Sequence, residues 1–301
     1  MLYRVDAPGE WGSMRATATI QATAETLAMV DGCKLFLRSW RCDSRDVLLL
    51  MHGLGAHSGW FIDMGNELAA RGLNVYAVDH RGFGRSEGLP GHVERAENYL
   101  TDLVAVLQEI RRRHGGESAP ARVYILGHSM GGIFAAHLAA RFSSVLDGVI
   151  FLNPWVRDRT KVAPGMVLGV VSGGLVRSRR LWRNPGGTEG MTTNAEAITM
   201  LEADPNWRRD LTANFWLEIL RLRLQVLKMA ARISLPALVL QVEQDKSVVP
   251  AASRQLYETL ASRDKSWKLY PDYAHDAELE AERTQLDQDI VEWIQAHADS
   301  R

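Results

Sequence analysis

A serine stands where a nucleophile can be built. Gly127-His128-Ser129-Met130-Gly131 matches G-x-S-x-G, right after the apolar run Val123–Leu126 and at the opening of an Ala-rich helical pattern. A sharp strand-to-helix turn forces the serine backbone into strain, and the glycines on both sides leave room for it, so the hydroxyl stands exposed above the strand end. Attack on an acyl carbon needs two backbone N–H donors aimed where negative charge develops on the oxygen. Met130, directly after the serine, is one candidate. Leu54, in the loop Met51-His52-Gly53-Leu54-Gly55 behind an earlier apolar run, is the other.

A neutral serine needs a general base, and the base needs an orienting carboxylate. After a turn of this type the chain order is serine, acid, histidine. Of the 9 histidines only His137, His275 and His297 follow Ser129. His137 falls inside a helical pattern and His297 in the terminal one. His275 follows the last strand-like run, in the loop after Pro271, and is the expected base. The acid should leave the preceding strand, where Glu243 and Asp245 stand. Asp245 is preferred, because it lies further from the strand end, where the chain can turn toward His275; Glu243 stays as the alternative. Asp272 and Asp276 flank His275 too closely to reach its Nδ1 easily and read as turn residues.

These residues must be carried by a layered scaffold. Apolar runs at 47–51, 75–78, 123–126, 149–152, 237–242 and 267–270 read as strands, several unbroken enough to be buried on both faces. Residues 26–40 read as a hairpin turning at Asp31-Gly32. Helical spacing recurs at 61–71, 99–113, 132–142, 253–261 and 286–297. Such alternation implies a mostly parallel sheet with helices on both faces. Residues 155–233 break the rhythm with helical patterns and no convincing buried strand. This is the expected cap, inserted between two core segments, 24–154 and 234–298, at the sheet edge where open α/β sheets bind ligands. Residues 1–23 read as a loose lead-in, with Met14 as an alternative start.

Composition narrows the function classes. The 301 residues carry a net charge of −1, which gives no global field for nucleic acid. The 2 cysteines, Cys33 and Cys42, bracket one extended run. In a straight strand they stand roughly 30 Å apart, against the ~7 Å a disulfide tolerates, so reduced thiols and a cytoplasmic location are expected. No secretory h-region and no membrane-length apolar run occurs. The protein is expected to be soluble, or at most peripheral to a membrane.

With these residues assembled, the chain resembles the monoacylglycerol lipase and lysophospholipase branch of the α/β-hydrolases from about Ala24 to Ala296. The carriers are Leu50–Gly55, Val78–Gly88, Gly91-His92-Val93, Gly127–Gly132, Ala203-Asp204-Pro205, Ser234–Ala237 and Ala274-His275 with Glu280 five residues on. The resemblance implies an α/β-hydrolase fold with a helical lid over an acyl pocket. It also implies Ser129, Asp245 and His275 as triad, and Leu54 and Met130 as oxyanion donors. One departure is Gln241-Val242 where the family usually has His-Gly ahead of the acid, which favours Glu243 a little. The block 79–84 reads as a structural loop.

The cap suggests the substrate. Met166–Val176 is apolar and glycine-rich, and a flap of this kind above a serine suits an acyl chain, with Met166, Val170 and Leu175 as candidate wall residues. Arg177, Arg179, Arg180 and Arg183 with Trp182 follow it, a basic rim fitted to a lipid interface or simply to solvent. The expected activity is hydrolysis of medium- to long-chain acyl esters, with neither metal nor organic cofactor implied. The alternatives are an aminopeptidase or amidase, which would need cap carboxylates such as Glu189 or Glu218 facing inward to bind an amine, and a ligand receptor that keeps the triad without turnover.

Overall fold

The computed structural model describes residues 20–115, 120–159, 164–184 and 187–298. In chain order the elements are β1 (Thr23–Ala28), β2 (Lys34–Trp40), β3 (Asp46–Met51), α1 (Ile62–Ala70), β4 (Asn74–Val78), α2 (Glu97–His114), β5 (Arg122–His128), α3 (Met130–Arg141) and β6 (Gly148–Leu152). The segment expected to form the cap follows as α4 (Pro164–Leu175), β7 (Leu181–Arg183), α5 (Ala195–Ala203), β8 (Asp210–Thr212), α6 (Ala213–Arg223) and α7 (Val226–Ala230). The chain then re-enters the core with β9 (Ala237–Val242), α8 (Pro250–Thr259), β10 (Lys265–Tyr270) and α9 (Thr284–Ala298).

Eight strands form one sheet in the order β1-β2-β4-β3-β5-β6-β9-β10. β1 and β2 pair antiparallel, as does β2 with β4, and all remaining neighbours run parallel. The apolar runs explain this burial. In β3, Val47, Leu49 and Met51 enter a core packed by α2 and α3, while Leu48 and Leu50 enter a second core packed by α1 and α9. Period-2 alternation thus feeds two layers from one strand. The chain leaves β3 toward β4 on one side and β5 on the other. The loops after β3 and β5 therefore diverge at the switch point where such sheets hold ligands.

Three expectations need correction. The cap is not purely helical, because β7 and β8 form a two-stranded antiparallel ribbon. Each strand has only three residues, with β7 mostly exposed and β8 carrying a single apolar residue, Leu211, so neither leaves an apolar run to read. The glycine-rich segment is a regular helix, α4, packed on α6, where a Cβ on Gly174 would lie 2.6 Å from Leu217 Cβ. Gly173 and Gly174 serve the approach to α6, and Gly169 lies against Trp182 of β7. The lead-in expected up to residue 23 ends earlier, since β1 starts at Thr23 and Ile20 packs against the core; residues 1–19 lie outside the described residues. Cys33 and Cys42 flank β2 as free thiols.

Candidate functional site

Ser129 occupies the turn between β5 and α3 with φ 50° and ψ −110°, a left-handed backbone that an L residue adopts only under constraint. The turn is locked by Ser129 N–H donating to Leu152 O at 3.0 Å and by Trp155 N–H donating to Ser129 O at 3.0 Å. A Cβ on Gly131 would lie 2.1 Å from Met51 O, so only glycine lets α3 start against the end of β3. Ser129 Oγ lies 3.0 Å from His275 Nε2, and His275 Nδ1 lies 2.7 Å from Asp245 Oδ2. Asp245 is fully buried and its Oδ1 accepts the N–H groups of Ser247 and Val248 at 2.7 and 2.9 Å. Burial opposes its charge, but His275 and these two N–H donors outweigh burial and hold the carboxyl below its usual range.

The three residues singled out after the serine turn thus converge in one hydrogen-bonded line, whereas Glu243 is exposed at the end of β9. The other two histidines hold structure: His137 Nε2 meets Leu222 O at 3.0 Å, and His297 bridges Trp293 O and Asp264. Met130 is the first residue of α3, so its N–H has no intrahelical acceptor. Leu54 lines the same cavity as Ser129. His52, ahead of it, accepts His80 N–H on Nε2 at 3.0 Å and therefore donates from Nδ1 to Gly53 O at 2.8 Å. Burial pushes this imidazole down to about 4, which keeps it neutral. The 79–84 block lies in structural contacts, with Arg81 bidentate on Asp102 at 2.6 Å and Asp79 accepting Ser58 N–H at 2.6 Å.

The cavity over Ser129 encloses about 500 Å³, within the usual range for small-molecule sites. Its walls include Trp155, Val170, Val171, Trp216 and Leu220, with the Asp158–Arg223 ion pair at one side. Of the expected wall residues, Val170 lines it. Leu175, one helical turn beyond Val171, is 67% exposed and borders a separate groove beside Glu218, so it is not part of the wall. Met166 lies on α4 with its side chain outside the described residues.

Two features escaped the sequence. Asn153, buried at the end of β6, donates from Nδ2 to His275 O at 2.6 Å and accepts Val242 N–H at 2.8 Å, so one side chain couples the acid strand to the base loop. Its φ of 44° is tolerated by asparagine, and an Asn-Pro pair closing an apolar run was the available signal. Behind the serine, His128 Nδ1 faces Glu278 at 3.0 Å and Nε2 faces His275 O at 3.1 Å, acceptors on both sides of one ring. Burial resists its charge, but Glu278, Asp276 and that carbonyl overcome the resistance and lift it to about 9. Asp276, expected as a plain turn residue, is instead buried beside this imidazolium, and burial raises its carboxyl. Among the described residues His128, His275 and Asp276 are close enough to share a metal ion, but the imidazole nitrogens are already taken by Ser129, Asp245, Glu278 and the His275 carbonyl.

Residues 43–282 match the family described as serine aminopeptidase, S33. A monoacylglycerol lipase of Mycolicibacterium smegmatis is 28% identical over 280 residues, 90% of this chain and 96% of that protein. The monoglyceride lipase of Homo sapiens is 27% identical, over 83% of this chain and 82% of its own. The crystal structure of Paleococcus ferrophilus monoacylglycerol lipase superposes with a TM-score of 0.78 at 25% identity, covering 87% of this chain and 99% of that one. With its eight-stranded sheet and its serine turn, the chain belongs to this S33 family, in the monoacylglycerol lipase branch of the α/β-hydrolases.

Proposed function

We propose that this protein hydrolyses carboxylic esters of medium- to long-chain acyl groups, monoacylglycerol-like, through an acyl-enzyme on Ser129. The observation that carries the proposal is the line Ser129 Oγ–His275–Asp245, at 3.0 and 2.7 Å, opening into a cavity walled by Trp155, Val170, Trp216 and Leu220. Ser129 Oγ attacks the acyl carbon while His275 Nε2 takes its proton, and Asp245 keeps the other proton on Nδ1. The N–H groups of Leu54 and Met130 receive the developing oxyanion. His275 then protonates the leaving alcohol, and a water activated by the same imidazole releases the acid.

The family name raises peptide substrates, but the carboxylates named for that reading lie elsewhere, and Asp158, the cap carboxylate in the cavity wall, is already paired with Arg223. The Glu189 side chain is 90% exposed beside Lys246, and Glu218 accepts Ala96 N–H at 3.0 Å beside the separate groove. Peripheral contact with lipid fits the outer cap, where Leu168, Val176 and Leu181 are exposed beside Arg177, Arg179 and Arg180. Among the described residues no helix is long and apolar enough to cross a membrane. The test is a p-nitrophenyl ester series run beside aminoacyl-anilides, with fluorophosphonate labelling of wild type and Ser129→Ala. Ester turnover rising with chain length, and labelling lost only in the variant, is expected. Equal labelling of both, or faster anilide cleavage, overturns the assignment.

A further inference from the structure

The cap roofs the cavity, and it also grips the two loops on which the reaction depends. Both flanks of α5 make these contacts. On its N-terminal side, Gly190 O and Met191 O accept the N–H groups of His275 and Asp276 at 3.2 and 2.6 Å. Glu280 accepts Thr193 N–H at 2.9 Å and Ala274 N–H at 3.0 Å, joining cap to base loop a second time. On the C-terminal side, Asp204 closes α5 and reaches the loop between β3 and α1. Its Oδ2 accepts from His57 Nε2 at 2.7 Å and from Trp60 Nε1 at 3.0 Å. Its Oδ1 accepts Asn206 N–H at 2.8 Å, and Arg208 N–H donates to Gly55 O at 2.8 Å.

The tautomer of His57 follows from its partners. Nδ1 accepts Gly59 N–H at 3.0 Å, so the ring proton is on Nε2 and points at Asp204. Burial opposes the charge on Asp204, but the His57 and Trp60 donors hold its carboxyl down at about 2, so it stays an acceptor throughout any ordinary assay range. Neither Asp204 nor His57 belongs to the cavity wall. The loop is fastened to the core by His52 with His80 and by Asp79 with Ser58, while Gly55, His57 and Trp60 are fastened from outside by the cap. Gly53 and Gly55 on either side of Leu54 provide little stiffness of their own. An oxyanion donor is effective only when its direction is set beforehand.

We propose that Asp204 is a positioning residue: acting from the cap through His57 and Trp60, it fixes the loop that aims Leu54 N–H at the acyl oxygen. The inference rests on the reading of Leu54 as an oxyanion donor. Cap and oxyanion hole are then one mechanical unit, and a cap shifted from its seat would take the hole out of alignment.

The test compares a trifluoromethyl ketone, which forms a tetrahedral adduct on the serine and needs the oxyanion donors, with the methyl ketone of the same tail, which binds the ground-state pocket. In the full chain, Asp204→Asn should weaken the trifluoromethyl ketone and lower kcat about tenfold or more, short of the roughly 10²–10³ expected when a donor is removed outright. Methyl ketone affinity and KM should stay within about twofold, the split that transition-state loss produces. His57→Asn keeps an acceptor for Gly59 N–H but is too short to reach Asp204. It should give the same split, and it carries the test alone if Asp204 variants fail to fold. The double variant should be no worse than either single one. Equal weakening of both ketones, kcat within threefold of wild type, or additive losses in the double variant would overturn the proposal. Wild type that takes up no fluorophosphonate and turns over no ester would overturn the ester reading and this inference together. A missing split in an active enzyme removes the inference alone.

Discussion

Replacing Asp245 by asparagine should disable the base by reversing the tautomer of His275, and the geometry dictates which way the amide must face. Asp245 Oδ1 accepts two backbone N–H groups, from Ser247 at 2.7 Å and Val248 at 2.9 Å. An amide NH2 turned toward them would set donor against two donors in a fully buried site, at about 1–3 kcal/mol for each group left unsatisfied. The asparagine oxygen must therefore keep the backbone donors, which leaves its NH2 facing His275 Nδ1, 2.7 Å from the present oxygen. Nδ1 then becomes the acceptor and the proton moves to Nε2, which points at Ser129 Oγ at 3.0 Å and can no longer take its proton. The expected loss in kcat is about 10³–10⁴-fold, the cost of a wrong tautomer in an otherwise intact triad. KM for a p-nitrophenyl ester should change little, because Asp245 does not line the cavity. Glu243→Gln is the internal control: its side chain is exposed, and kcat should fall less than about tenfold. Steady-state kinetics on both variants, with melting curves to check folding, decide the matter. An Asp245→Asn enzyme within tenfold of wild type, or an exchange of the two phenotypes, would refute the tautomer argument.

Val170→Asp puts a charge on the cavity wall, and each buried methylene contributes about 0.8 kcal/mol, so kcat/KM for a decanoate ester should drop at least about tenfold while acetate stays within a few-fold. A uniform loss in a variant that still melts cooperatively would mean that α4 does not meet the acyl chain. Asn153→Ala orphans one buried group, Val242 N–H, at about 1–3 kcal/mol, and leaves His275 O with His128 as its donor; a denaturant titration reading less than about 1 kcal/mol lost would contradict that account. His128, lifted to about 9 from an unfolded value near 6.5, contributes stability that is complete below pH 6.5 and is lost as pH rises toward 9. The raised carboxyl of Asp276 acts with the same sign at lower pH, because the folded form holds a proton that the unfolded chain has released. Urea midpoints that stay flat between pH 6.5 and 9 would show that His128 is not held as an imidazolium.

The sheet was legible because its signal is local. A strand buried on both faces must be apolar throughout, and β3, β5, β6 and β9 each read as such a run. The serine turn was legible for a related reason, since the backbone there demands glycine at fixed offsets and one of those demands, Gly131 against Met51 O, is a contact no other residue can make. The cap was harder. Its ribbon pairs Leu181–Arg183 with Asp210–Thr212 across a long intervening segment, and strands of three residues, one of them mostly exposed, are too short to show a period-2 pattern. In α4 the glycines suggested a flap, whereas Gly173 and Gly174 record a helix contact.

What stayed invisible is of a different kind. Asn153, Asp204 and the pair His128–Glu278 each connect segments that are 122 to 150 residues apart and meet only through the fold, as in Asn153 to His275 O, Asp204 to His57 and His128 to Glu278. No spacing rule reports such a meeting, because the partners come together only after β5, β6, β9 and the cap are in place. Yet each follows from one physical demand. A polar group carried into the interior by the fold must find a partner there, and the ends of a parallel sheet bring loops from distant parts of the chain within reach of one another. The catalytic line needs three such loops held to within tenths of an ångström. Asn153 holds the base loop to the acid strand, Glu280 holds it to the cap, and Asp204 holds the cap to the oxyanion loop. A buried polar side chain placed between loops at this sheet edge is therefore the feature to test first when activity changes without contact to substrate.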